Sequence, residues 1–365
     1  MGDGKTSLWR RSRSFRWGFF FGVLAATTLW LAIYDPWLLK TRGTVVNPVK
    51  PPEPKPGALV VDPLSRVWNF DDEKVPWEPV LPLAQISEAA YQDGPVLDAT
   101  LHKWGLKTQR EFSDGTMFAC VASNEKIVVV AFRGTNANEI GDWIADAKIS
   151  KDRVQHGQIH RGFNQSTKSL LAPIRSEVEA QGGKSKLVWV TGHSLGGAMA
   201  LVFAYECLAA DDIKLTGLVT FGQPLVVDKD LAGYLNRELK GKYIRFVHGG
   251  DVVPRVFPTF SHCGNLVWFV NDTFVFRRPE ILAAATNEDQ PEIGFSYESG
   301  PKPFDRSEFE ALQEQLKPRK NRRKLFGQRR EIQPAGAPAF LEDHYMTGYI
   351  HWVVTFSAKA NAQSP

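Results

Sequence analysis

Residues 187–200 read Leu187-Val-Trp-Val-Thr-Gly192-His-Ser194-Leu-Gly196-Gly-Ala-Met-Ala200. The first five are β-branched or bulky and apolar, the pattern of a buried strand. The last five are small enough for a helix packed closely on its neighbours. Between them stands G-x-S-x-G in the context that gives it meaning: strand, sharp turn, helix. Such a turn forces Ser194 into a strained backbone conformation. Side chains two residues before and two after it would collide, so Gly192 and Gly196 are required. The strain projects the serine hydroxyl outward at a helix N-terminus, where unpaired N–H groups and the helix dipole favour developing negative charge. A chance pentapeptide in a glycine-rich loop would lack the flanking strand and helix.

Working outward, residues 127–132, 215–221 and 243–248 are short, β-branched or aromatic, and nearly continuously apolar. Strands covered on both faces have this composition. Helical patterns fall between them at 166–181 and 196–210, the first ending in Gln181-Gly182-Gly183. Strands alternating with helices predict an α/β fold with a mainly parallel central sheet flanked by helices. The chain has 365 residues, 43% of them apolar and 23% charged, which excludes a disordered chain. Only one long apolar run exists, which excludes a multi-span membrane protein. The three cysteines, Cys120, Cys207 and Cys263, are odd in number and widely spread, so they read as buried thiols and not as a disulfide framework.

The apolar run is residues 17–34, from Trp17 to Tyr34, without a charge. It is long enough to cross a bilayer core, which takes about 17–25 residues. Lys5, Arg10, Arg11, Arg13 and Arg16 precede it, so the positive-inside bias sends the remainder of the chain out of the cytoplasm. A cleaved signal peptide is the competing reading. The absence of an Ala-x-Ala site after the run favours an uncleaved anchor. Residues 1–40 are thus a basic N-terminus plus transmembrane anchor or signal. Residues 41–57, rich in proline, form a semi-rigid polyproline spacer. Residues 58–365 form the globular domain, with a basic insertion around 300–337. Its core is 317–330, with eight Lys/Arg and no acid. Removing this run and the basic N-terminus leaves the rest of the chain net acidic, so the overall charge of +4 is an average of unlike parts.

A serine hydroxyl needs a base to take its proton, and the base needs an orienting carboxylate. In the chain order serine, acid, histidine, the acid follows a later strand. The strand at 243–248 runs into Gly249-Gly250-Asp251, which puts Asp251 at the sheet edge; an ordinary turn aspartate is the alternative. Downstream stand His262, His344 and His351, and spacing alone does not choose among them.

Several blocks in order carry a wider resemblance: Phe132-Arg-Gly-Thr135, Asp142-Trp-Ile-Ala-Asp146, His160-Arg-Gly-Phe163, Gly192-His-Ser-Leu-Gly-Gly197, Phe221-Gly-Gln-Pro224, Asp251-Val-Val-Pro-Arg255, His262-x-Gly264 with Trp268, and Asp343-His344. From about Ile86 to Tyr349 the chain resembles the class 3 lipases, the fungal-lipase-like branch of the α/β-hydrolases. The resemblance implies the triad Ser194, Asp251 and His344, with His262 structural. It implies an oxyanion hole from the N–H groups of Leu195 and Thr135. Leu225-Val226-Val227 depart from the family's Arg-Val-Gly, and Asn265 stands where the family's glutamate is expected.

The implied reaction is hydrolysis of a carboxylic ester, of acylglycerol or related lipid type, through an acyl-enzyme. No metal or organic cofactor is implied. Ile140, Trp143, Ile144 and Ala147 share one face of a short helix, which the resemblance reads as a lid; a permanently packed helix is the alternative. Residues 307–316 predict a helix with a Ser307/Glu310 capping box. The 317–330 run suits an anionic lipid surface, or is a solvated loop. Nucleic acid is not an expected partner. Phospholipase or acyltransferase activity on the same fold stays open, as does a catalytically inert, membrane-tethered binding module. An inert copy, however, has no need of an intact Ser194, Asp251 and His344.

Overall fold

The computed structural model describes residues 63–67, 75–92, 94–114, 117–136, 139–270, 272–279, 301–317 and 339–362. The expected anchor at 17–34, the proline spacer at 41–57 and all of the 317–330 run except Lys317 lie outside the described residues. Among the described residues, no helix is long and apolar enough to cross a membrane.

The strands are β1 Lys107–Ser113, β2 Phe118–Ser123, β3 Ile127–Arg133, β4 Lys151–Val154, β5 Gly157–His160, β6 Leu187–His193, β7 Leu215–Phe221, β8 Tyr243–His248, β9 Asn265–Val270 and β10 Thr273–Arg277. The helices are α1 Val80–Ala89, α2 Gly94–Lys103, α3 Ile140–Asp146, α4 Arg161–Ala180, α5 Leu195–Ala210, α6 Lys229–Glu238, α7 Arg306–Leu316 and α8 Met346–Ala362. Eight strands make one sheet in the order β1-β2-β3-β6-β7-β8-β9-β10, and β4 and β5 form a separate hairpin. The central run from β3 to β9 is parallel. Antiparallel pairs close both edges.

The continuous apolar runs are explained by helices on both faces. Along β3, Val128, Val130 and Phe132 enter one core, with α3, α4, α5, α6 and α7. Ile127, Val129 and Ala131 enter the other, with α1, α2 and α8. Alternation of side chains across a pleated strand requires this division. Helix α5 is buried from Gly196 to Tyr205, against the sheet and α4, and that stretch is accordingly uncharged and apolar. The three cysteines are buried and free.

Three boundaries differ from the sequence reading. Helix α4 begins at Arg161 and not near Ser166, because the His160-Arg-Gly-Phe163 block forms its first turn. Strand β6 continues through Gly192 and His193 up to the Ser194 turn, held by pairing of both residues with β7. Helix α7 is capped by Asp305 and Glu308, not by Ser307 and Glu310. The Asp305 carboxylate accepts from the Glu308 N–H at 2.8 Å, and Ser307 Oγ donates to the same carboxylate. A charged acceptor two residues earlier outcompetes the neutral hydroxyl.

Candidate active site

Ser194 sits between β6 and α5 with φ +56° and ψ −127°. A non-glycine residue there costs of order 1–3 kcal/mol and persists only where its surroundings enforce it. Here they do. The Ser194 N–H donates to Phe221 O at 2.9 Å, and Ser194 O accepts from Gly197 N–H at 3.0 Å. A Cβ on Gly192 would stand 2.4 Å from the Gly196 carbonyl, and one on Gly196 would stand 2.2 Å from Phe132 O. The two glycines are therefore what lets three backbone segments meet behind the serine.

Asp251 follows β8 through Gly249 and Gly250 and is fully buried. Its carboxylate has three protein donors. His344 Nδ1 donates to it at 2.8 Å, Val253 N–H at 2.9 Å and Tyr349 Oη at 2.6 Å. His344 closes a 3-10 turn, Ala339–His344, just before α8. With Nδ1–H given to the carboxylate, the ring's Nε2 carries the lone pair. That nitrogen and Ser194 Oγ are both buried, and neither has a hydrogen-bond partner. Gly222, at φ +55°, lies under the pair; a Cβ there would stand 2.9 Å from both Asp251 Oδ2 and His344 Cε1.

The acid turn and the histidine turn are tied to each other and to the elbow. Asp343 Oδ2 accepts from Gly250 N–H at 2.7 Å, and His248 Nδ1 donates to Asp343 O at 3.0 Å. His193, next to Ser194, donates from Nε2 to His344 O at 2.8 Å, and its Nδ1 accepts from Tyr91 Oη at 2.9 Å. Burial, and then the neighbouring His344, hold the His193 imidazole well below the usual histidine range. It is therefore a neutral spacer with one donor and one acceptor, both used.

The structure thus brings Asp251 and His344 into direct contact and links them to Ser194 through His193. Thr135, half-buried, follows β3 beside Gly134, where a Cβ would stand 3.1 Å from Ser194 Cβ. Leu195 is the first residue of α5, and the N–H groups of a first turn have no partner within their helix. His262 is elsewhere: its Nε2 donates to Pro254 O at 2.7 Å. His351 lies on α8 against Trp352. On α3, Ile140 and Ile144 are buried, and Trp143 packs edge-on to Phe257 at 5.6 Å. Gln313 of α7 donates to the carbonyls of Ile144 and Ala147 at 2.9 and 2.8 Å, fastening the end of α3. Tyr349, Tyr91 and His193 were not among the expected site residues. A single tyrosine carries no sequence signal, and Tyr91 lies far from the elbow along the chain.

Residues 129–261 match the family model described as lipase (class 3). A lipase of Rhizomucor miehei is 31% identical over 178 residues, 45% of this chain and 46% of the relative. A secreted mono- and diacylglycerol lipase of Fusarium solani is 34% identical over 139 residues, 36% of this chain and 40% of the relative. A triacylglycerol lipase of Ricinus communis is 26% identical over 209 residues, 42% of this chain and 40% of the relative. The chain spans about half the length of the curated relatives it matches. The solved structure of the Rhizomucor miehei lipase propeptide complex is similar at 28% identity and a TM-score of 0.45, over 54% of this chain and 70% of that one. The central sheet is mostly parallel, and the match to the class 3 lipase model falls on residues 129–261, the stretch that holds the Ser194 turn and Asp251.

Three buried histidines give the folded state a definite pH response. Burial lowers His160 to about 4, and holds His193 and His262 well below their usual range. Unfolded histidines protonate near pH 6.5, so below that value the unfolded chain binds more protons and gains on the folded one. The melting temperature is expected to fall as pH drops from about 6.5 towards about 4, with a shallower fall in His160→Asn. A melting temperature that is flat across this window would contradict the assignment.

Proposed function

We propose that the chain is a serine ester hydrolase of lipase type, cleaving acylglycerol or related lipid esters. The carrying observation is a buried imidazole with one nitrogen held by a carboxylate and the other free, at the sheet edge that also bears an elbow serine. In this reading His344 Nε2 takes the Ser194 proton as Oγ attacks the ester carbonyl. The tetrahedral oxyanion accepts from the N–H groups of Leu195 and Thr135, each such donor accounting for about 10²–10³ in turnover. Asp251 keeps the imidazole oriented and offsets its positive charge, with Tyr349 and Val253 holding the carboxylate in place. His344 then protonates the leaving alcohol, and water, deprotonated by the same nitrogen, releases the acid. The choice of acylglycerols rests on the relatives, whose names include triacylglycerol and mono- and diacylglycerol lipases.

Ser194 is 0% exposed and His344 3%. A substrate carbonyl cannot reach a buried hydroxyl unless something moves. The lid reading assigns that movement to Ile140, Trp143 and Ile144 on α3, with α7 as its fastening through Gln313. We further propose export, by the 17–34 segment acting as an uncleaved anchor; the word secreted in two relatives' names supports export, not the anchor.

Ser194→Ala is expected to abolish fluorophosphonate labelling and lower ester hydrolysis by on the order of 10⁴–10⁶, measured on a panel of graded acyl esters and phospholipids. His344→Ala behaves alike, whereas His262→Ala keeps its activity if folded; the reverse pattern would transfer the base role to His262. Gln313→Ala removes two bonds worth about 1 kcal/mol each and is expected to raise turnover of dissolved short-chain esters severalfold. Unchanged turnover there, and no rise for the parent chain at a lipid–water interface, would mean that α3 does not open. Fractionation of cells is expected to recover the full chain with membranes after carbonate washing; recovery in the wash would exclude an uncleaved anchor.

A further inference from the structure

Arg245 points from the middle of β8 into the layer on which α5 and α6 pack, and is 4% exposed. It takes part in no ion pair or hydrogen bond among the described residues, and its Nε is buried without an acceptor. Its in-register neighbours on the same face are Thr220 of β7 and Leu266 of β9, neither of which carries charge. The titratable groups around it do not supply a negative charge either. Burial pushes the Tyr243 hydroxyl far up and the Cys263 thiol to about 12, and it keeps His262 neutral. Among the described residues, no carboxylate acts on the guanidinium. Burial lowers Arg245 to about 10, which still leaves it charged at neutral pH.

An ion taken out of water without a counter-charge is so unfavourable that buried charges are paired. Tyr243, two residues earlier on the same face of β8, leads to a second unused donor. Tyr243 Oη donates to Gln223 Oε1 at 2.7 Å, which leaves Gln223 Nε2 buried with no acceptor. Water could accept these hydrogen bonds but could not offset the charge. We propose that Arg245, in the layer that also holds the unused Gln223 amide, binds a small monovalent inorganic anion of chloride size within the fold. The site is separate from the ester-cleaving machinery and does not depend on that assignment. Its consequence is structural: the anion joins β8, which leads to Asp251, to the β7–Gln223 segment that carries Gly222 under His344.

The test is thermal unfolding of the full chain at constant ionic strength, with chloride replaced stepwise by gluconate. Binding to the folded state alone makes the folding constant rise about tenfold per tenfold chloride above half-saturation, a shift of about 2–4 °C. Arg245→Met gives the non-specific salt baseline and is expected to lose the chloride-specific rise. Leu266→Glu supplies a carboxylate from the adjacent strand and is expected to melt at the same temperature in both salts. A parent chain that melts alike in chloride and gluconate would overturn the proposal. So would an undiminished chloride response in Arg245→Met.

Discussion

The close approach of three backbone segments behind Ser194 is the constraint on which the rest of the site depends. β6 ends there, α5 begins there, and the end of β3 passes within contact of both. Gly192 and Gly196 are the only side chains that this meeting tolerates, since a Cβ on either would overlap backbone atoms. The bond from the Ser194 N–H to Phe221 O fixes the turn against β7. The strained φ of the serine is held by the order of neighbouring strands, β3-β6-β7, and not by anything local to the pentapeptide.

From that point the site extends as one buried polar chain. Tyr91, His193, the His344 backbone, the His344 ring, Asp251 and Tyr349 follow one another through bonds of 2.6–2.9 Å. Buried polar groups are tolerated only when satisfied, and low dielectric strengthens each bond that is made. Against that background the unsatisfied atoms stand out. Ser194 Oγ and His344 Nε2 are unpaired where the proposed chemistry needs them unpaired. Arg245 Nε and Gln223 Nε2 lack an acceptor in the layer that supports the site, and a bound anion accounts for that without disturbing the proposed triad.

Legibility followed the range of the interaction. The strands at 127–132, 215–221 and 243–248 were readable because burial on both faces writes a continuous apolar run. The elbow was readable because its steric requirement lies within five residues. Which histidine meets Asp251 was not readable from spacing, and rested on resemblance. His344 contacts Asp251 across 93 positions of chain, and sequence distance carries no geometry of that kind. The cap of α7 is ambiguous in sequence because Ser307 and Glu310 satisfy the same pattern as Asp305 and Glu308 two residues away. Only the competition between carboxylate and hydroxyl decides between them. Tyr349 could not be found as a partner of Asp251, because its hydroxyl reaches the carboxylate only once α8 is packed on the sheet.

The sequence by itself determined the α/β alternation, the place of the elbow serine, and the residue types available around it. Those follow from local sterics and from side-chain periodicity, which are properties of neighbouring residues. The tertiary structure alone decided which histidine is joined to the carboxylate, which tyrosines support them, and that Ser194 is enclosed. It also decided that the middle of β8 carries a charge without a partner. These are consequences of packing, where residues far apart in the chain are forced to share or to lack a counterpart in the same desolvated space.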